Sequence, residues 1–184
     1  MATTDPLTTY LDQIRQAKLP RWTDLPQFDL YMDQVVQYVN EILHPFGVGD
    51  LTATMVNNYV KKGVVKPPLK KKYERAQIAN VLVIALLKPV FALDTIASGI
   101  DYQLQNRPAN QAFDAFIMAF ISGVQQANTD FSKEVTINAV NKTDLLNIQS
   151  AMVTLAINAV LEKLFVESMV TQVAPAPTAK KKKD

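Results

Sequence analysis

The chain has 184 residues, of which 48% are hydrophobic and 20% are charged, a composition typical of folded globular proteins rather than disordered ones. Its net charge is +2, but without residues 180–184 the chain has 15 basic and 16 acidic residues, so nucleic-acid binding would require a local basic patch. The absence of cysteine excludes disulfides, thiolate metal sites and thiol redox switches.

The first part of the chain predicts an N-terminal arm followed by a longer helix. The arm covers residues 1–28, contains three prolines and has a short predicted helix over residues 7–17. In residues 29–43 the apolar side chains recur at helical spacing, which predicts the second helix. A His-Pro pair at 44–45 ends it.

A short helix is predicted over residues 52–62. The Thr52 hydroxyl is suited to cap it, because Ser and Thr side chains accept hydrogen bonds from the free N–H groups of a first turn. Gly63 supplies the left-handed residue that commonly closes a helix. One face is apolar and contains Met55, Val56, Tyr59 and Val60. The opposite face is polar and contains Thr54, Asn57, Asn58, Lys61 and Lys62.

The segment after this helix is rich in lysine. Residues 22–60 contain no Lys or Arg, whereas seven basic residues lie within the fifteen positions 61–75, opposed only by Glu74. They are Lys61, Lys62, Lys66, Lys70, Lys71, Lys72 and Arg75. Such a concentration of positive charge is typical of a surface that binds a polyanion.

The same segment predicts two short strands. Val64 and Val65 are β-branched and favour the first strand, and residues 70–73 favour the second. Pro67 and Pro68 prevent a helix between them. The lysines are therefore expected in and beside a small β wing.

The rest of the chain predicts further helices, strongly apolar in character. Their expected ranges are residues 75–87, 93–106, 110–125 and 144–170. An apolar island at Val135, Ile137 and Val140 lies between the last two. The helices around Phe116 and Leu155 carry apolar residues on more than one face, which predicts a homodimer interface, although core packing or a ligand pocket would use the same residues.

Residues 51–96 resemble the winged helix-turn-helix of MerR-type regulators. The residues that carry this resemblance are Thr52, Tyr59, Gly63-Val64-Val65, Pro67, Lys71, Tyr73, Ile78 and Leu93-Asp94-Thr95-Ile96. The sequence is more closely similar to a bacterial family of unknown function in the MerR-like group, through LPQFDLYMDQ, MVNNYVKKGVV and KKKY. It departs from the MerR pattern at Asn57, where an Arg is usual, and at Val60, where an acidic residue is usual.

The resemblance implies an all-α fold with a small β wing: a MerR-like winged helix-turn-helix followed by a helical bundle. The expected organisation is an arm over residues 1–28, a DNA-binding domain over 29–106, a dimerisation or effector bundle over 107–172 and a disordered basic tail over 173–184. The implied function is a sequence-specific, DNA-binding transcriptional regulator that is cytoplasmic and homodimeric. The resemblance leaves any small-molecule effector unknown.

DNA binding assigns distinct roles to the candidate residues. Lys61, Lys62, Lys70, Lys71, Lys72 and Arg75 would contact phosphates, which supply affinity. Thr54, Asn57 and Asn58 would contact base edges, because an Asn amide can pair with adenine in the major groove. Tyr59 would donate a hydrogen bond to phosphate or lie half-buried in the core. Thr52 and Tyr73 complete the predicted DNA-binding set.

Other functions are also compatible with the sequence. The lysines would equally suit a solvated loop beside an ordinary amphipathic helix. The main alternative is a non-enzymatic protein-interaction module on a winged-helix scaffold that has lost DNA binding. A membrane tether through residues 180–183 would lack an apolar anchor, so no membrane partner is predicted.

An enzyme is not expected. No carboxylate pair stands out as acid and base, and the five glycines form neither of the common phosphate-binding motifs. His44 is the only histidine, which by itself makes neither a zinc site nor a catalytic triad. The sequence therefore predicts no catalytic residues, no metal site and no cofactor.

Overall fold

The structure, a computed structural model, describes residues 6–105, 107–127 and 148–173. In this part the protein is mostly helical with a small two-stranded antiparallel sheet, as predicted. Its α-helices are α1 (Pro6–Gln16), α2 (Met32–Leu43), α3 (Ala53–Lys61), α4 (Arg75–Leu87), α5 (Leu93–Leu104), α6 (Ala109–Gln126) and α7 (Ile148–Val173). Single 3-10 turns cover Trp22–Asp24 and His44–Phe46.

The sheet differs from the predicted wing. Strand β1 (Leu30–Tyr31) pairs with β2 (Lys72–Tyr73), with Leu30 opposite Tyr73 and Tyr31 opposite Lys72. The predicted strand at Val64 and Val65 is wrong. The N–H groups of Val64 and Val65 donate to the Tyr59 carbonyl, at 3.0 and 3.3 Å, so they close the C-terminus of α3 instead of joining a sheet.

The chain reverses at Lys70–Lys71, and not at the two prolines before it. Leu69 and Lys72 exchange two backbone hydrogen bonds, of 3.1 Å from the Leu69 N–H and 2.9 Å from the Lys72 N–H. Lys70 and Lys71 form the tip between them, with φ of 49° and 66°. Two consecutive residues with positive φ are the mark of a tight hairpin turn.

The predicted ends of the short helix are confirmed. The Thr52 hydroxyl accepts a 3.2 Å hydrogen bond from the Met55 N–H at the start of α3, and Gly63 has a φ of 74° after its end. Helix α2 begins at Met32, later than predicted, because Leu30–Tyr31 is used in the sheet.

One hydrophobic core joins the predicted DNA-binding region and the predicted bundle. It extends from Leu11 in α1, through residues of α2, α3 and α4, to Leu164 in α7. Helix α7 packs along α6 and also contacts α1, α4 and α5. At Gly123 an added Cβ would lie 3.0 Å from Leu161 Cδ1, so the absence of a side chain lets α6 and α7 approach closely.

Some predictions lie outside the described residues: the apolar island at 135–140, the basic tail and the first residues of the arm. Of the helices that are described, none combines the length and the apolar character required to cross a bilayer.

Candidate nucleic-acid interface

The polar face of α3 is open to solvent. Every predicted member of this face is exposed: Thr54, Asn57, Asn58, Lys61 and Lys62. On the opposite side, Val56 and Tyr59 are buried in the core. Helix α3 therefore presents two amides, a hydroxyl and two ammonium groups on a single exposed face.

An asparagine in α2, which the sequence pattern did not single out, fixes the start of α3. The Asn40 amide donates to the Leu51 carbonyl at 2.9 Å, and its oxygen accepts from the Leu51 N–H at 2.8 Å. Leu51 immediately precedes the Thr52 cap, so this pair of hydrogen bonds sets where α3 begins. A signal was available: Asn40 lies on the same helical stripe as the apolar Val36 and Leu43, where an amide needs a partner.

The lysine hairpin is anchored to α4 by a buried glutamine. Gln77 is 5% exposed, and its amide donates to the carbonyls of Lys66 and Pro67 at 2.8 and 3.0 Å. Its oxygen accepts from the Glu74 N–H at 2.7 Å. The hairpin therefore leaves the helical body from a fixed position.

Sheet pairing brings an exposed tyrosine beside a lysine, and two further exposed apolar side chains lie within three residues of the paired strands. Phe28, Tyr31 and Leu69 are 72%, 52% and 77% exposed. Lys72 Nζ lies 5.0 Å from the centroid of the Tyr31 ring, within the range of a cation–π contact. We call this surface the aromatic–lysine cluster: Phe28, Tyr31, Leu69, Lys70, Lys71 and Lys72.

The cluster could be predicted only in part. Its lysines were evident from the sequence, but Phe28 and Tyr31 lie in a segment that has no basic residue. The pairing of β1 with β2 brings the two segments together. Helix α2 contacts both α3 and β2 and so supports both candidate surfaces.

Two predicted contact residues belong to the core. Tyr59 and Tyr73 are each 2% exposed, and burial raises the pKa of both hydroxyls. Within the described residues the Tyr59 hydroxyl has no hydrogen-bond partner. Because both side chains are buried, neither tyrosine can reach a phosphate. Of the two roles considered for Tyr59, the core position is the one observed.

Two other predicted residues have structural partners. Thr52 uses its hydroxyl as the cap of α3. Arg75 is partly buried, and its Nε donates to the Pro26 carbonyl at 3.2 Å, which ties α4 to the segment before β1. The exposed candidates that remain are the polar face of α3 and Lys70 and Lys71 of the hairpin, whereas Lys72 is half-buried. No group of three or more His, Cys, Asp or Glu able to hold a metal ion occurs in the part of the chain that is described.

Fold and surface together define a mostly helical protein with a small sheet and a basic hairpin. The chain belongs to the DUF1836 family, described as a domain of unknown function, whose model matches residues 20–116. This range contains α3, the aromatic–lysine cluster and α5, and it ends within α6. No curated protein and no solved structure is significantly similar to the chain.

Proposed function

We propose that the protein is a DNA-binding transcriptional regulator that binds duplex DNA through the polar face of α3 and the aromatic–lysine cluster. The observation that carries the proposal is the hairpin tip, where Lys70 and Lys71 are exposed in left-handed conformations that Asn or Gly would adopt more easily. Such backbone strain is typical of functional positions. In this proposal the sheet and hairpin are the wing of a winged helix-turn-helix.

The two surfaces would divide affinity and specificity between them. Lysines on the hairpin are flexible point charges that suit phosphates, which every sequence shares. The amides of Asn57 and Asn58 are exposed on a helix and suit base edges in a major groove. Leu69 and Phe28 would add apolar contacts to the duplex beside these polar ones.

The direct test measures duplex binding by fluorescence anisotropy over a series of salt concentrations. The variant Lys70→Ala/Lys71→Ala/Lys72→Ala should weaken binding to every duplex alike. It should also reduce the salt slope by up to about three, at roughly 0.9 per lost phosphate contact.

The matched control removes the same charge elsewhere. Lys18→Ala/Lys88→Ala/Lys163→Ala should keep most of the affinity, because none of these lysines belongs to the cluster. If both triple variants lose affinity for DNA equally, the loss follows net charge alone and the proposed interface is rejected. Selection of sites from random DNA then tests specificity: an enriched motif is expected, and binding without sequence preference would contradict a regulatory role.

The second candidate function is a protein-interaction module, and the exposure of Phe28, Tyr31 and Leu69 favours it. Large apolar side chains grouped on a surface are also typical of protein-binding sites. The two functions differ in their dependence on charge. If the protein binds no duplex at low salt, the interaction module is the better explanation. Homodimerisation and a cytoplasmic location remain predictions of the DNA-binding proposal.

A further inference from the structure

A large cavity lies among α4, α5, α6 and α7, apart from the basic surface. Its volume is about 500 Å³, within the range of roughly 300 to 1,000 Å³ that is typical of small-molecule sites. The wall contributed by α4 and α5 includes Val83 and Ile100, and the wall contributed by α6 and α7 includes Phe116 and Ala156. Trp22 completes the lining from the N-terminal segment.

The chemistry of the lining selects a neutral ligand. Within the described residues no charged side chain lines the cavity, so a charged group would lose its hydration there without gaining a partner. Asn80 and Thr95 are among the few polar residues of the wall. No hydrogen bond joins the Asn80 side chain to another described residue, which leaves its amide available to a ligand.

Specific contacts fix the positions of the elements that line the cavity. The backbone N–H of Trp22 donates to Asp114 Oδ1 at 2.7 Å, and the Trp22 ring packs edge-to-face on Phe113 with centroids 6.1 Å apart. Across the cavity, the Gln103 amide donates to the Gln149 carbonyl at 2.8 Å, which joins α5 to α7. These contacts fix a preformed site, whose walls need not move to admit a ligand.

Helix α5 leaves space in the cavity at a glycine. Gly99 lines it, and a Cβ added there would meet no atom within 4 Å. Met152 and Leu155 border the cavity from α7, so a bound molecule would contact apolar side chains on this wall as well.

We propose that this cavity binds a neutral, mainly apolar small molecule with one hydrogen-bonding group, such as an aromatic or branched-alkyl amide, ketone or alcohol. The apolar body would fill the space between α5 and α7, and the polar group would pair with Asn80. This site does not depend on DNA binding, because it shares no residue with α3 or the aromatic–lysine cluster.

The test uses N-phenyl-1-naphthylamine, a neutral fluorescent probe with one N–H group. Trp22 is the only tryptophan and lines the cavity, so energy transfer from its indole to the probe reports binding to the chain, and the blocking variants assign that binding to the cavity. We expect saturable binding of one probe per chain. Gly99→Leu should weaken it by about tenfold or more, because the added side chain occupies the cavity.

Gly99→Ala is the matched control, which should bind the probe like the natural protein, since its single methyl group meets no other atom. Thermal unfolding of each variant shows whether it is folded. If Gly99→Leu is unfolded, Ala156→Leu blocks the cavity from α7 instead. The hairpin variant Lys70→Ala/Lys71→Ala/Lys72→Ala should keep full probe binding. Failure of the DNA-binding proposal is therefore distinguishable from failure of this one.

Three results would overturn the proposal. Probe binding that does not saturate would indicate partition onto apolar surface. Unchanged affinity in the folded blocking variants would place the probe elsewhere. One probe per two chains, lost on dissociation of a dimer, would mean that a second copy of the chain covers the cavity.

Discussion

At the scale of single residues, Lys70 and Lys71 are the least expected feature of the chain. Both have positive φ, at 49° and 66°, where the side chain of an L-residue crowds its own backbone at a cost of roughly 1 to 2 kcal/mol per residue. Tight two-residue hairpins usually place Asn-Gly at these positions. The two lysines therefore sit where folding alone would favour other residues, which is the pattern expected when a position serves binding.

This conflict between stability and binding can be measured. Lys70→Asn/Lys71→Gly should relieve the strain at both residues and raise the free energy of unfolding by about 1 to 3 kcal/mol, after the entropic cost of fixing Gly is subtracted. If the hairpin binds DNA as proposed, the same variant should bind duplex DNA more weakly, because two positive charges are lost. Urea denaturation and anisotropy titration measure the two effects on one preparation.

A second double variant separates charge from strain. Lys70→Gln/Lys71→Gln keeps side chains of similar length and keeps the strain, so it should lose DNA affinity without gaining stability. If the Asn-Gly variant proves no more stable than the Gln-Gln variant, the turn is not strained as argued. If neither loses affinity, the tip does not contact DNA.

Asn40 carries a prediction about how α3 is positioned. Asn40→Ala removes both hydrogen bonds to Leu51 and should lower the free energy of unfolding by about 1 to 3 kcal/mol, at roughly 0.5 to 1.5 for each bond. Gln37→Ala is the control, because among the described residues the Gln37 side chain bonds only to the exposed Glu41, one turn along α2. Equal unfolding midpoints for the two variants would show that Asn40 does not hold the loop in place.

At the scale of elements, helices were predictable where the sequence signals are local. Helix α4 begins and ends at the predicted residues, because a continuous apolar run is bounded by a lysine-rich turn and by Pro89. The α3 cap needed only Thr52 and the helical pattern after it. The tail and the apolar island remain predictions, since they lie outside the described residues.

The sheet was not predictable in the same way. Strand β1 has only two residues, and its partner β2 lies far along the chain beyond α2 and α3. Val64 and Val65 have the β-branched side chains of a strand, but α3 needs their N–H groups to satisfy the Tyr59 carbonyl at its end. Tertiary context overrode local propensity at these two residues.

Helix α1 supplies a prediction about pH. The Tyr10 hydroxyl donates to the Phe46 carbonyl at 2.9 Å, and burial, followed by the charge of Glu167, raises its pKa to about 12. The folded state therefore holds this proton more tightly than the unfolded state does. Its contribution to stability is complete below about pH 10 and is lost as the pH rises towards 12.

Comparison with Tyr10→Phe isolates this contribution. At pH 8 the variant should be less stable than the natural protein by about 1 kcal/mol, because the hydrogen bond to Phe46 is lost. This difference in the free energy of unfolding should narrow as the pH rises from about 10 to 12. Only the natural protein has a hydroxyl at this position, and it ionises more easily in the unfolded state. Urea denaturation at each pH measures the difference. A difference that stays constant over this pH range would contradict a raised pKa of Tyr10 in the folded state.

At the scale of the whole molecule, the single core changes how the apolar helices are understood. Phe116 was expected at a dimer interface, but it is buried within the chain. The apolar surplus that remains exposed lies mainly on α7, at Ile148, Met152, Leu155, Val166 and Val170. Ile148, Met152, Leu155, Ala159 and Val166 lie on the alternating spacing of four and three residues typical of a coiled-coil seam, in which the exposed Glu162 occupies the position between Ala159 and Val166. Sequence periodicity identified this helix as having too many apolar residues, but only packing shows which of them the core leaves uncovered.

This seam predicts a homodimer formed along α7. At tens of micromolar, light scattering over a dilution series should give twice the 20.5 kDa monomer mass, because pairing two seams removes apolar surface from water. Ile148→Glu/Val166→Glu should give monomers, since each new carboxylate would be buried in the seam between the two chains. Met118→Glu/Gln125→Glu adds the same charge at exposed positions of α6 and should remain dimeric. A natural protein that stays monomeric throughout the series would reject the dimer, and dissociation of both double variants would place the interface beyond the α7 seam.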